Sequence, residues 1–403
     1  MKDKIKIIFL TSTVMTETRW YAREMDYFKK SSDIEIHELC DFLRPEARKV
    51  FKDTYKDEKI FTFKTFIDWK NHILNLQKEC IKEKIKLVIL TELSKYPWQG
   101  INLKYLLVNK FLKKLQIDFY EFYDTGMIPS KASVKTYSKY IKIFKYWRYL
   151  LVRINEMLTS FVGALLDFKP KGIFIAGNET KKEFENIKKS KNIELINFNS
   201  WEFSSTLNKQ NNEVNLFNRK YAVFINRPGP IIKTEELHLN KIPPDETSEK
   251  WYPALDNFFS YLEKIFKLEI VIASHPKSNE EGPIDYLGNR TAILGKTEEL
   301  IKGSEFVIGK NSTALTFAIV YKKPVIFIYS NETKKNIVTI NAINSLSDYF
   351  RTKSINIEEE INENQIKSLI NFDKKLYENY KTDFLASNPK NQNYKIVLDY
   401  LNK

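Results

Sequence analysis

The sequence predicts an α/β protein of two Rossmann-like β/α/β domains facing a cleft. Three observations lead there. Short apolar runs alternate with helical periodicities through both halves of the chain. Several runs, such as Lys86–Thr91 (KLVILT), have a continuous apolar centre, as strands buried on both faces of a parallel sheet do. Polar clusters stand directly after the runs of the second half, and 403 residues suit two cores better than one.

In the first half, Lys6–Leu10 reads as a strand, Arg19–Lys30 as a helix and Ile34–Leu39 as a second strand. Phe63–Lys84 reads as a helix because Phe66, Trp69, Ile73 and Leu76 recur at helical spacing. Leu103–Leu115 is a further helix; Asp118–Phe122, Lys171–Ala176 and Glu194–Phe198 are further strands. Between them, about Lys131 to Phe168, Tyr137, Tyr140, Phe144, Trp147, Leu151 and Ile154 form one stripe, with Lys135, Lys139 and Lys142 opposite. The polar stretch Asn208–Glu213 is the linker. The second half opens with the strand Tyr221–Asn226, a proline-containing loop from Arg227 to about Ser248, and the helix Trp251–Phe266. Its tail has helical patterns at Ile357–Asn371 and Lys395–Asn402. The expected domains are 1–207, 214–380 and a terminal segment, 381–403, packing back on the first domain.

The net charge of +14 points to anionic partners, although lysine is spread along the whole chain. A basic helix with an aromatic face, here Lys131–Arg153, suits an anionic membrane surface; nucleic acid is not expected. No run approaches the roughly 18 to 20 apolar residues that span a bilayer, and KIKIIFL reads as a first strand rather than a signal peptide. Cys40 and Cys80 are the only cysteines, which implies a reducing cytoplasm. His37, His72, His238 and His275 form no close pair along the chain, so neither zinc nor another cofactor is expected.

Open parallel sheets bind ligands outside the carboxyl ends of their strands, which focuses attention on three clusters. His275 ends the run LEIVIAS and precedes Pro276, which holds it extended, with Lys277 adding charge. Asn311, Ser312 and Thr313 stand between a strand and a helical pattern, where capping side chains and free N–H groups make an anion site. Lys296 and Thr297 follow the run TAIL; Thr297 is the expected N-cap, and Glu298 or Glu299 would take ribose hydroxyls. GKT is not a phosphate-binding P-loop, because Arg290 stands where that motif needs glycine. Arg227, after the first strand of this half, would face a donor phosphate or a sugar carboxylate.

In this order HPK, GKTEELI and FVIGKNSTALTFAIVYKKPVIFI resemble the nucleotide-binding half of GT-B glycosyltransferases over about residues 221–330. The likeness is to bacterial surface-polysaccharide enzymes, including sialyltransferases and Kdo transferases with a His-Pro motif and a downstream Ser/Thr motif. It implies a GT-B-like fold in which His275 and Ser312/Thr313 hold the phosphate of a nucleotide-sugar donor. The implied reaction moves a sugar, a CMP-activated sialic acid or Kdo-type acid among them, to a cell-surface or lipid-linked glycan; the lack of a metal-ligand cluster in the sequence fits metal-independent transfer, with His275, Lys277 and the Asn311–Thr313 helix end meeting the phosphate charge. The cysteine usage and the basic aromatic segment together point to a cytoplasmic protein, peripheral at the inner membrane face. Some sialyltransferases carry a paired-acid motif ending in Gly upstream of His-Pro, and this chain has no upstream copy. Glu280-Glu281-Gly282 falls after His-Pro and reads as a loop. A general base is therefore sought in the first half, where Glu92 and Asp124 directly follow strands; Glu17 and Glu179 stand behind them. The alternatives are a sugar-nucleotide epimerase of the same double-Rossmann fold, or a non-catalytic glycan- or nucleic-acid-binding protein.

Overall fold

Apolar runs covered on both faces assemble into two seven-stranded sheets. The computed structural model describes residues 4–45, 48, 54–93, 103–123, 170–191, 193–207, 216–227, 230, 245–275, 278 and 280–403. Asp124, the segment Lys131–Arg153, the linker Asn208–Glu213 and Lys277 lie outside the described residues.

The first sheet holds β1 (Ile5–Thr11), β2 (Asp33–Glu38), β3 (Ile60–Thr62), β4 (Lys86–Thr91), β5 (Asp118–Tyr123), β6 (Gly172–Ala176) and β7 (Glu194–Phe198). Its order is β3-β2-β1-β4-β5-β6-β7, parallel throughout. The second holds β8 (Tyr221–Ile225), β9 (Glu269–Ser274), β10 (Gly282–Ile284), β11 (Arg290–Leu294), β12 (Val307–Gly309), β13 (Val325–Tyr329) and β14 (Ile355–Asn356). Its order is β10-β11-β9-β8-β12-β13-β14, parallel except for β10 against β11. In each sheet the chain runs outward from the first strand and then returns to its other side. The crevices therefore open between β1 and β4 and between β8 and β12.

Each sheet is sandwiched between helices. Ile7, Phe9, Val88, Leu90 and Phe122 face Trp20, Phe28 and Trp201; Ile8, Leu10 and Ile89 face the helix Phe66–Glu83 through Trp69, Ile73 and Leu76. In the second sheet Phe224, Ile272, Ile308 and Ile326 pack on Trp251, Leu255 and Phe259 of the helix Ser248–Phe266.

Four departures from the sequence reading have local causes. The edge strands β3, β10 and β14 are three, three and two residues long, too short to leave a pattern. Glu281-Gly282 is thus the entry to β10 rather than plain loop. The helix expected over Arg19–Lys30 is two helices, Glu17–Ala22 and Met25–Ser31, broken at the left-handed Glu24 (φ 56°). The tail helix is confined to Glu363–Leu369, started by an Asn362/Gln365 capping box.

The chain crosses back between the sheets near its C-terminal end. Asn199 pairs with Ala386 in an antiparallel bridge. The helix Asn393–Leu401 then buries Ile396, Val397 and Leu401 in the same core as Ile7 and Phe9. Polar groups fix the crossing. Asn393 Nδ2 donates to the Asn199 carbonyl at 2.9 Å, and the Tyr394 N–H donates to Glu24 at 2.8 Å. Burial raises the pKa of the Glu24 carboxyl against hydrogen bonds from the Ser204 hydroxyl and the Tyr394 and Asn393 N–H groups.

Candidate functional site

Ile225 pairs with Ala273, so Arg227 and His275 leave adjacent strands, β8 and β9, at the same level. Arg227 Nη1 donates to Asn311 Oδ1 across the β8/β12 crevice. The His275 carbonyl accepts both the N–H and the hydroxyl of Ser278, each at 2.8 Å. Asn311 is thus spent on Arg227, and Ser312 Oγ accepts from the Ala314 N–H at 3.3 Å in a turn before the helix Leu315–Val320, whose N-cap is Ala314, so the side-chain capping expected of this cluster is not made. Leu315, Thr316 and Phe317 then each bond the carbonyl three residues back, tightening the first turn of the helix Leu315–Val320. The N–H groups of Ser312 and Thr313 meet no acceptor among the described residues. The structure therefore brings Arg227, His275, Asn311, Ser312 and Thr313 to one crevice edge.

Lys310, part of the same polar turn, has a role that its neighbours in sequence do not reveal. It points under the crevice, 7 % exposed, with its ammonium 3.9 Å from the centre of the Trp251 ring and paired with buried Glu246. Glu246 also accepts from the Thr333 hydroxyl, which bonds Ser330 Oγ at 2.9 Å. Burial lowers the Lys310 pKa, and the Glu246 carboxylate opposes that shift. Its partner stands 64 residues earlier, which is why no local signal marks it.

After β11, Gly295 is left-handed (φ 75°) and open on its Cβ side. Lys296, exposed, occupies the N-cap position of the helix Thr297–Gly303, so Thr297 is its first residue rather than its cap. Glu298 is buried and accepts from the Tyr321 hydroxyl at 2.7 Å, which directs it between two helices.

At the β1/β4 crevice, the two oxygens of Glu92 are held by two arginines, Oε2 by Arg19 Nη2 at 2.6 Å and Oε1 by Arg23 Nε. Acting as a base would require releasing one of them. The Arg23 guanidinium stacks 5.1 Å from the Trp201 ring. The helix carrying Trp201, Trp201–Thr206, touches both Glu17–Ala22 and Leu315–Val320, so it links the two crevices.

Folding also makes the histidine pair that the sequence order conceals: the His37 and His72 rings lie 5.1 Å apart. Glu35, His37 and His72 place ligating atoms within 4.8 Å of one another. The Trp69 indole N–H, however, donates to His37 Nδ1 at 3.2 Å, which leaves the proton on Nε2, facing Glu35 at 3.0 Å. A metal at Nε2 would have to displace that proton while Nδ1 stayed an acceptor, so the trio reads as a hydrogen-bonded cluster. Burial pushes the His37 pKa down to about 4 against the pull of Glu35. Burial alone would raise the Glu35 carboxyl, but hydrogen bonds from His37, Lys6 and His72 hold it well below the usual range. In both cases the unfolded chain binds the proton more readily. Stability should therefore fall as pH drops from about 6.5 toward 4, with a His37 slope approaching about 1.4 kcal/mol per pH unit. Urea midpoints measured across that range check it; a flat profile would remove the cluster from the account of stability.

The two largely parallel sheets, each with its crevice, define a two-domain Rossmann-like GT-B fold. No protein-family model matches the sequence, and a search of curated proteins finds no relative. Among solved structures, the chain is similar to the UDP-GlcNAc 2-epimerase from Methanocaldococcus jannaschii, with a TM-score of 0.50 and 14% identity over 99% of this chain and 100% of that one. It is also similar to two variants of the wall teichoic acid polymerase TagF, each with a TM-score of 0.55, at 11% and 12% identity over 98% of this chain and 88% of theirs. At such identities the likeness establishes the fold.

Proposed function

We propose that the protein is a glycosyltransferase that moves a sugar from a nucleotide-sugar donor to a glycan acceptor. The observation carrying this reading is the convergence of Arg227, His275 and the Asn311–Thr313 turn at the β8/β12 crevice. As the bond from the anomeric carbon to the donor phosphate breaks, negative charge gathers on the leaving phosphate. Cationic and N–H donors fixed in advance stabilise that charge without reorganising. Lys296 adds charge at the rim in this reading, and Lys277, two positions after His275 in sequence, is the second lysine to test. Thr297, Glu298 and the Gly295 turn stand on the nucleoside side, with Glu298 recruited only if it leaves Tyr321.

The acceptor lies on the β1/β4 side in this reading. Glu92 takes the acceptor proton after giving up one arginine, or Asp124 does so in its place. A lipid-linked acceptor would bring the basic segment Lys131–Arg153 to an anionic membrane surface. Among the described residues no helix is long and apolar enough to cross a membrane. The His-Pro and Ser/Thr motifs make CMP-sialic acid or a Kdo-type donor the first to try.

A thermal-shift screen with CMP, UDP, GDP and their sugars tests the reading. A ligand at a hundred times its Kd should add about 2.7 kcal/mol of stability. The absence of any shift at millimolar ligand would sink it. The similarity to a UDP-GlcNAc 2-epimerase fold keeps one competing outcome in view: donor turned into an epimer with no acceptor present would replace transfer by epimerisation.

A further inference from the structure

Glu280 stands at the same carboxyl edge that would receive the negative phosphates of a donor. A like charge there opposes phosphate binding unless it serves another end, and its contacts indicate which. Oε2 accepts from Asn226 Nδ2 at 3.1 Å, and Oε1 accepts from the Tyr286 hydroxyl. Both partners are neutral, and no Lys or Arg pairs with Glu280 among the described residues. Asn226 is the residue before Arg227, and its own N–H is tied to the Ala273 carbonyl of β9 at 3.1 Å. The Glu280 N–H donates to Ser278 Oγ at 3.4 Å, while the Ser278 N–H and hydroxyl both close on the His275 carbonyl. Tyr286 packs on Tyr252, ring centres 4.3 Å apart, against the helix Ser248–Phe266.

One residue thus joins three parts: its N–H reaches the turn that begins at His275, and its carboxylate reaches the strand end that carries Arg227 and the aromatic floor beneath both. We propose that Glu280 is a positioning residue that fixes His275 and Arg227 relative to each other, acting through Ser278 and Asn226. The inference rests on the donor-site reading above. Burial, with Glu280 adding to it, raises the Tyr286 pKa, so the phenol stays a donor at neutral pH. Two acceptor oxygens facing two donors also explain why the side chain is an acid. A glutamine reproduces the pattern if the Asn226 amide turns over to accept or if the Tyr286 oxygen accepts from the glutamine amide; an alanine cannot reproduce it.

The test compares full-length Glu280→Gln and Glu280→Ala. Without nucleotide, exchange of the Ser278 amide should rise by about tenfold in the alanine variant, as losing buried hydrogen bonds allows, and remain within about threefold of wild type in the glutamine variant. In turnover assays with the donor found by the screen, alanine should lower kcat and kcat/KM by about tenfold, because His275 acts on the leaving phosphate in the transition state, and glutamine should restore both. Unchanged Ser278 exchange in Glu280→Ala overturns the proposal. A glutamine variant that loses kcat as alanine does also overturns it, because the charge would then act directly on substrate. Wild-type protein that shifts with no nucleotide removes the donor-site reading, and the positioning role falls with it.

Discussion

His275→Ala should keep the melting temperature of the wild type and lose transfer by on the order of 10²-fold, the usual effect of removing one preorganised donor to a developing negative charge. The imidazole is half-buried at the end of β9 and belongs to the apolar core of neither face, so its removal leaves the packing in place. The loss should appear in kcat as well as kcat/KM, because the leaving phosphate carries more charge in the transition state than in the bound donor. Steady-state rates beside a melting curve decide it. Turnover at the wild-type level would move the phosphate site away from β9.

Glu246→Ala should cost about 3–5 kcal/mol of stability, the penalty for leaving a buried charge without its partner. Lys310 would then face the Trp251 ring alone, and the Thr333 hydroxyl would keep only Ser330. Replacing both charges, Lys310→Met with Glu246→Leu, should recover most of the loss, since well-packed apolar pairs often match buried ion pairs. Denaturant midpoints of the single and double variants test the pair. A single variant within about 1 kcal/mol of wild type would show that the ammonium reaches water.

The strand runs and the two-sheet plan were legible because parallel strands buried on both faces leave unbroken apolar stretches such as those ending at Thr91 and Ser274. The helix Phe66–Glu83 was legible because Trp69, Ile73 and Leu76 share one face. Edge strands of two or three residues leave no such trace. For the candidate site, the sequence shows where side chains leave a strand and conceals what they meet. His275, Arg227 and the Asn311–Thr313 turn could be placed at strand ends. The arginine grip on Glu92 joins residues 73 and 69 positions apart. The link from Glu280 to Asn226 spans 54 positions, and the one from His72 to Glu35 spans 37. Such pairings belong to the packing of helices on sheets, which no local period encodes. The glutamates at 280 and 281 did match a paired-acid pattern in letters, and Tyr286 six residues on was the remaining local hint.

The crossing of the chain near residue 386 has a consequence for biosynthesis. Asn393 supplies hydrogen bonds to Asn199 from 194 residues away, and Ile396, Val397 and Leu401 fill a gap beside Ile7, Phe9 and Trp20. The domain translated first is therefore completed last. While the second domain is being made, the first waits with part of its apolar face uncovered, and both reach their final state together. A chain stopped at residue 386 should accordingly bind a hydrophobic dye and be cut readily by protease within residues 1–207, while full-length protein resists both.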